Sequence, residues 1–397
     1  MPGFEWFDDI ERKEVNDVLD SGVLMRYGFD GARNGHWKAK ELEQAIEKKM
    51  DVKHAQLLSS GTAAVTTALA IAGVGAGDEV IMPTFTFVAS FESVIAVGAT
   101  PILVDVDESL TLNPDAVKAA ITDRTKAIMP VHMCGAMADL DALKKICVEN
   151  NLQLVEDACQ AFGGSYKGTA LGAYGDVGCY SFDYVKTITC GEGGAVITNN
   201  DDFAVKADAY QDHGHDHVGN DRGAESHPHL GFNYRISELN AAVGIAQMGK
   251  LDKIIEVQKK NKTILKEALA TIEEVSFRVI PDPEGDNFSF LSFFLPTEEL
   301  TRKVHAALGE FGTDGNFYWF DNNWHYVKKW QHLHNLESVS PISKQIREGM
   351  PNYAEMKFPA SDEVISRTIS TLIKLNWTEE EVKERADKMV AAIKSVL

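Results

Sequence analysis

The chain has 397 residues, 44 % hydrophobic and 25 % charged, with 39 Lys and Arg against 59 Asp and Glu for a net charge of −20. This is globular composition at a length suited to two or three domains, which sets aside disorder and collagen-like repeats. The acidic balance argues against nucleic acid or an anionic membrane as partner, and no apolar run approaches the roughly 18 residues of a membrane span.

The start, MPGFEWFDDIERKEV, is acidic and amphipathic, unlike a secretion signal. Residues 55 to 200 then alternate short apolar strands (AQLLSS, DEVIMP, TPILVDVD, KAIMPVHM, LQLVEDA, VGCYSFD, GAVITNN) with helical stretches such as TAAVTTALAIAG and DLDALKKICVENN. That alternation predicts an α/β fold with a mostly parallel seven-stranded sheet flanked by helices. Only about ten residues separate the last two strands, which predicts one antiparallel pair. The five cysteines (Cys134, Cys147, Cys159, Cys179, Cys190) form no C-x-x-C pair and read as buried free thiols of a cytoplasmic protein.

Residues 210 to 231 are polar, rich in His and Gly and aperiodic, as in a long loop. Ile236, Leu239, Val243 and Ala246 then open a helix expected to run on through LDKIIEVQKKNKTILKEAL. Strand-like FSFLSFFLP, helical TEELTRKVHAALGEF, the aromatic NFYWFDNNWHY and a closing helix follow. The expected domains are a large α/β domain over 1–250 and a smaller α+β domain over 251–397.

Three segments carry chemistry. In SFDYVKTITCGEGGAV, Lys186 follows a buried strand and precedes a Gly-rich turn. Alone it reads as a strand-end surface Lys. Near a phosphate-binding hydroxyl at Ser181 it suits a Schiff base to pyridoxal phosphate. In LVEDACQAFGG, Asp157 stands at a strand's carboxyl end, where open α/β sheets bind ligands. It is either a helix N-cap or the carboxylate that keeps a pyridine nitrogen protonated, and Gln160 is placed to reach the same ligand. In LLSSGTAAVTTALA, Gly61 and Thr62 open a helix whose N-terminus attracts a phosphate; an ordinary cap would look the same.

Together these segments resemble the DegT/DnrJ/EryC1/StrS aminotransferase family over nearly the whole chain, through DEVIMPTFTFVAS, ATPILVDVD, PVHMCGAMADLDAL, EDACQAFGG, SF-x-x-x-K with GEGGAV, and GFNYRISELNAAVGIAQ. The resemblance implies a fold-type I enzyme using pyridoxal 5'-phosphate. It places Lys186 in the Schiff base, Asp157 on the pyridinium nitrogen and Gln160 beside the ring hydroxyl. Gly61, Thr62 and Ser181 would hold the phosphate, Phe87 would stack on the ring, and Asn233 would reach the partner's cofactor in a homodimer with shared sites. It further implies L-glutamate as amino donor and a keto or aldehyde sugar as acceptor. Phe162 stands where relatives often have His, and QDHG carries Gln211 where an Arg is common. A branch with His in place of the Lys dehydrates; Lys186 points to transamination.

PGFEWFDDIERKEV, RYGFDG and the His-rich loop look most like the branch that aminates the 8-position of a 3-deoxy-octulosonate, 3,8-dideoxy-8-oxo-manno-octulosonate, for lipopolysaccharide. Nucleotide-linked 4-keto-6-deoxy or 3-keto sugars are the alternative acceptors, and a cofactor-binding regulator without turnover is the alternative of another class. The cluster His213, His215, His217, His227 and His229 lacks the spacing of a metal site and reads as a polar loop near the active-site mouth, so no metal is expected. GVGAGDE (Gly73, Gly75, Gly77) precedes a strand and lacks the context of a dinucleotide loop. Phe317, Tyr318, Trp319, Phe320 and Trp324 read as small-domain core, with part of the run a candidate for a sugar pocket.

Overall fold

The structure, a computed structural model, describes residues 3–219 and 223–397. After helices α1 (Asp9–Ser21) and α2 (Lys38–Met50), strands β1 (His54–Leu58), β2 (Glu79–Pro83), β3 (Thr100–Val104), β4 (Thr125–Ile128) and β5 (Gln153–Asp157) alternate with α3 (Gly61–Ile71), α4 (Val88–Ala96), α5 (Pro114–Ala120) and α6 (Leu140–Asn150). A short hairpin, β6 (Ser165–Tyr166) with β7 (Thr169–Ala170), precedes β8 (Val177–Ser181) and β9 (Gly194–Thr198). The large sheet has seven strands in the order β1-β9-β8-β5-β4-β2-β3.

Six strands run one way and β9 runs against them. The single antiparallel pair expected between the last two strands therefore becomes two. Because β9 inserts between β8 and β1, its reversed direction is felt on both edges. Central strands β2 and β8 are buried throughout, as strands covered on both faces must be. Helix α3 is apolar nearly all round and buried from Ala63 to Leu69, the signature of a helix packed inside a domain. Ser60 caps it by accepting the Ala63 N–H at 3.1 Å.

Past α7 (Asp201–Tyr210), the single long helix expected from periodicity is two, α8 (Glu238–Met248) and α9 (Leu251–Leu269). Gly249 and Lys250 break it, and glycine is a weak helix former. The Lys250 ammonium turns to the N-terminal segment, lying 2.7 Å from Glu11 and from the Trp6 carbonyl. Leu251 and Ile254 of α9 join the core beneath the large sheet, whereas Leu265 and Leu269 join that of a second sheet.

The second sheet is antiparallel, β10 (Ser276–Phe277), β11 (Phe290–Phe294), β13 (Thr368–Leu372) and β12 (Asn316–Tyr318) side by side. Helices α10 (Glu298–Glu310) and α14 (Glu379–Lys394) cover it through Val304, Leu308, Val382 and Met389. The intervening α11 (Gln331–Asn335), α12 (Lys344–Gly349) and α13 (Pro359–Ser366) return toward the large sheet, where Trp330, Leu333 and Ile365 join its core. All five cysteines are free thiols, four of them buried and Cys159 half-buried. Among the described residues no helix is long and apolar enough to cross a membrane.

Candidate active site

The carboxyl ends of β1, β5 and β8, with the loop after β2, converge on one cavity. Its walls include Gly61, Thr62, Phe87, Asp157, Gln160, Ser181 and Lys186. Seven of the eight residues expected from the sequence are thus brought together. The eighth, Asn233, is exposed on the segment before α8, pairs with Asp212 through an isolated bridge, and is not among those walls.

The cradle at the start of α3 depends on glycine. A Cβ on Gly61 would stand 2.6 Å from the Ser181 Cβ and 2.7 Å from its Oγ, so only glycine lets the helix N-terminus meet the end of β8. Free helix N–H groups and the hydroxyls of Thr62 and Ser181 then face one spot, which suits a phosphate.

Asp157 is buried and held at both oxygens. The Ser90 hydroxyl donates to Oδ2 at 2.7 Å and the Cys159 N–H to Oδ1 at 3.1 Å. Thr86 and Ser90 hydroxyls are linked at 2.7 Å, tying that carboxylate to the loop that carries Phe87. Gln160 accepts the Cys134 N–H at its Oε1 (3.1 Å), which turns its NH₂ end to the cavity. One residue before Asp157, the wholly buried Glu156 accepts from Gly172 N–H (2.9 Å), Gly175 N–H (2.6 Å) and the His132 ring (2.9 Å). Each lone pair so filled fixes the strand end that presents Asp157. Cys159 and Cys179 lie with Asp157 in a group whose ligand atoms are all within 4.8 Å. The hydrogen bond to Cys179, followed by burial, pushes the Cys159 thiol well up, so it stays protonated beside the carboxylate.

Lys186 projects from the loop between β8 and β9, its Nζ 6.0 Å from the centroid of the Phe87 ring. Three elements distant in sequence pin that loop. Gly3 N–H donates to the Lys186 carbonyl at 2.9 Å. Asn240 of α8 donates to the carbonyls of Cys190 (2.8 Å) and Glu192 (3.0 Å). Asn287, just before β11, reaches the Thr187 hydroxyl at 3.3 Å and the Gln160 carbonyl at 3.2 Å. The sequence reading missed all three, because a lone Gly or Asn carries no signal until the fold brings it to the loop. Burial, with the Asp183 charge, raises the Glu192 carboxyl pKa at the cavity wall.

Beyond Phe87 lies the aromatic loop. Residues 324–327 run antiparallel to 84–88, with Thr86 N–H bonded to the His325 carbonyl and Val88 N–H to that of Trp324, each at 3.0 Å. Trp324 stacks on Phe87 at 5.8 Å and His325 meets the same ring at 5.4 Å. Tyr318, Trp319 and Phe320 are buried core, whereas Trp324 is exposed and reaches the cavity wall only through its stacking on Phe87.

Phe162 is core and not site, edge-on to Tyr180 (4.7 Å) and Phe182 (5.2 Å). None of the described residues of the His-rich loop is a wall of this protomer's cavity. The loop folds back on α7 instead. His217 sits between Asp208 (2.6 Å) and Asp212 (3.0 Å), His215 lies 2.8 Å from Glu225, and the His227 ring meets the His213 carbonyl. Gln211, buried, binds the Tyr27 hydroxyl and the Asp208 carbonyl and so takes a structural place.

The DegT/DnrJ/EryC1/StrS aminotransferase family matches residues 7–390. The chain is 38 % identical to the GDP-perosamine synthase of Vibrio cholerae over 264 residues, 66 % of this chain and 69 % of that protein. It is 35 % identical to the 3-amino-5-hydroxybenzoate synthase of Amycolatopsis mediterranei (strain S699) over 337 residues, 82 % of this chain and 84 % of that one. An aminotransferase from Psychrobacter cryohalolentis has a similar structure, with a TM-score of 0.86 at 25 % identity over 98 % of each chain.

Proposed function

Because the chain belongs to the DegT/DnrJ/EryC1/StrS aminotransferase family, and is on that ground a pyridoxal-phosphate-dependent aminotransferase, we propose that it moves the amino group of L-glutamate to a keto or aldehyde sugar. The observation that carries this reading is Lys186 and Asp157 on one cavity with the Gly61–Ser181 cradle. The cofactor supplies the electron sink for carbanion chemistry. The residues suit it: the helix start, Thr62 and Ser181 for the phosphate, and a doubly held carboxylate for the ring nitrogen. Phe87 would cover a ring face and Gln160 would meet the ring hydroxyl.

In this reading Lys186 holds the cofactor at rest and then, once freed, carries a proton to and from the substrate carbon as general base and acid. The Ser90 and Cys159 donors would hold the Asp157 carboxylate in place, facing the nitrogen. The loop pinned by Gly3, Asn240 and Asn287 keeps the lysine within reach, a contribution of orientation.

Our first reading of the acceptor is 3,8-dideoxy-8-oxo-manno-octulosonate, in lipopolysaccharide synthesis, on the strength of the opening segment and RYGFDG. Similarity to a GDP-perosamine synthase supports a second, a GDP-linked 4-keto-6-deoxy sugar. We further take residues 1–250 and 251–397 as the two domains, and a cytoplasmic homodimer with shared sites as the working assembly. Glutamate added to the loaded protein should abolish the absorbance of the lysine-bound cofactor and release 2-oxoglutarate. The sugars are added next in separate samples, and the one that restores it identifies the acceptor. A protein that ignores glutamate would not be a glutamate-dependent enzyme.

A further inference from the structure

The turn at residues 322–325 contains a fixed tautomer. Asn322 Oδ1 accepts the Trp324 N–H at 2.9 Å, which settles which end of the amide is oxygen. The same Oδ1 lies 2.9 Å from His325 Nδ1. An oxygen can only accept, so Nδ1 carries the proton and Nε2 presents a lone pair. Among the described residues Nε2 has no hydrogen-bond partner. The imidazole is wedged between Phe87 (5.4 Å) and Trp319 (4.8 Å). Burial, and then the Lys186 charge, lower its pKa to about 3, so the lone pair persists at neutral pH. Beside it Trp324 is 60 % exposed and stacked on Phe87, itself a wall of the cavity. An exposed indole face next to a fixed acceptor matches a sugar ring, which offers C–H groups on one face and hydroxyl donors at its edge.

We propose that Trp324 and His325 form the subsite for the amino-acceptor sugar, with His325 Nε2 accepting one sugar hydroxyl and Asn322 setting the tautomer. This rests on the sugar-aminotransferase reading and deepens it. Glutamate and 2-oxoglutarate carry no hydroxyl and make no use of the subsite.

The test compares two acceptors on the same pyridoxamine form. One is 2-oxoglutarate. The other is whichever sugar the wild type takes, the 8-oxo octulosonate or a GDP-linked 4-keto-6-deoxy sugar. His325→Phe keeps a ring but no acceptor. It should raise KM for the sugar about tenfold, the scale of one neutral hydrogen bond, and change the 2-oxoglutarate reaction by less than about twofold. His325→Gln, whose Oε1 can accept, should recover part of the loss. Nitrogen NMR of the cofactor-free protein supplies a readout independent of turnover. His325 should show an unprotonated Nε2 down to acidic pH, and Asn322→Ala should mix the tautomers. Equal losses with both acceptors, no loss with the sugar, or a protonated Nε2 at neutral pH would each overturn the proposal. A wild type that exchanges glutamate with 2-oxoglutarate yet takes neither sugar would remove the sugar reading and the subsite with it. A wild type inert to glutamate would fail at the earlier step.

Discussion

At the scale of single residues, the site rests on two groups whose surroundings differ in kind. Lys186 lies on a loop whose anchors, Gly3 to its carbonyl and Asn287 to the Thr187 hydroxyl, leave its own ammonium without a hydrogen bond among the described residues, so the side chain can leave and return. Lys186→Ala should therefore abolish turnover and the absorbance of the lysine-bound cofactor while leaving the melting temperature close to wild type. A mutant with near-normal half-reaction rates would refute the assignment. Asp157, by contrast, is gripped by the Ser90 hydroxyl and the Cys159 N–H. Asp157→Asn removes the charge and turns an NH₂ group toward one of those donors. Turnover should fall by about two orders of magnitude or more, the scale of losing one preorganised electrostatic partner. Cofactor content, read by absorbance after alkaline release, should fall far less. These two residues were legible in the sequence because Asp157 ends a buried strand and Lys186 follows another, just ahead of a Gly-rich turn. His325 was not, because it reaches Phe87 only when residues 324–327 pair with 84–88, more than two hundred positions away.

At the scale of elements, strands were more legible than breaks. Each strand of the large sheet is a short apolar run between turn residues, which the eye finds readily. The interruption at Gly249 escaped because apolar spacing continues across it, and the cause is a Lys250 anchored to an N-terminal segment far away in sequence. The contact between α3 and β8 makes a sharper test. Gly61→Ala drives a methyl to 2.6 Å from the Ser181 Cβ, an overpacking that costs about 1–3 kcal/mol. A lowered melting temperature should come with weaker cofactor retention, measured by equilibrium dialysis; unchanged retention would separate the cradle from phosphate binding. The bond from the His-rich loop to α7 should respond to pH. Burial opposes a charge on His217, but Asp208 and Asp212 outweigh it and raise its pKa above the ordinary value. A raised pKa in the folded state favours the protonated form, so the stabilisation is complete below the unfolded value of about 6.5 and is lost as pH rises through the folded one. Urea titrations should show His217→Gln less stable than wild type at low pH, with the gap closing as pH rises. A gap that widens instead would contradict the pairing.

At the scale of the whole molecule, Asn233 is the residue without a local task. It stands outside its own cavity, next to Leu230 (94 % exposed) and Phe232 (50 % exposed), apolar side chains that an isolated protomer leaves in water. A partner in the proposed homodimer would cover this apolar surface. In the proposed homodimer a two-fold axis would carry each Asn233 to the other protomer's phosphate cradle, because isologous contacts repeat on both sides. Lys186→Ala removes a residue that each site takes from its own chain, and Asn233→Ala one that each site takes from the partner. A dimer with one chain of each kind then holds one site lacking both groups and one site intact. Co-expressing the two inactive variants under separate tags, and isolating the doubly tagged dimer, should recover up to about half of wild-type activity per dimer, since independent defects at separate sites do not compound. The requirement is that Asn233→Ala alone be severely impaired. Recovery would place Asn233 at the partner's site; doubly tagged dimers without it would return Asn233 to its own loop, paired with Asp212.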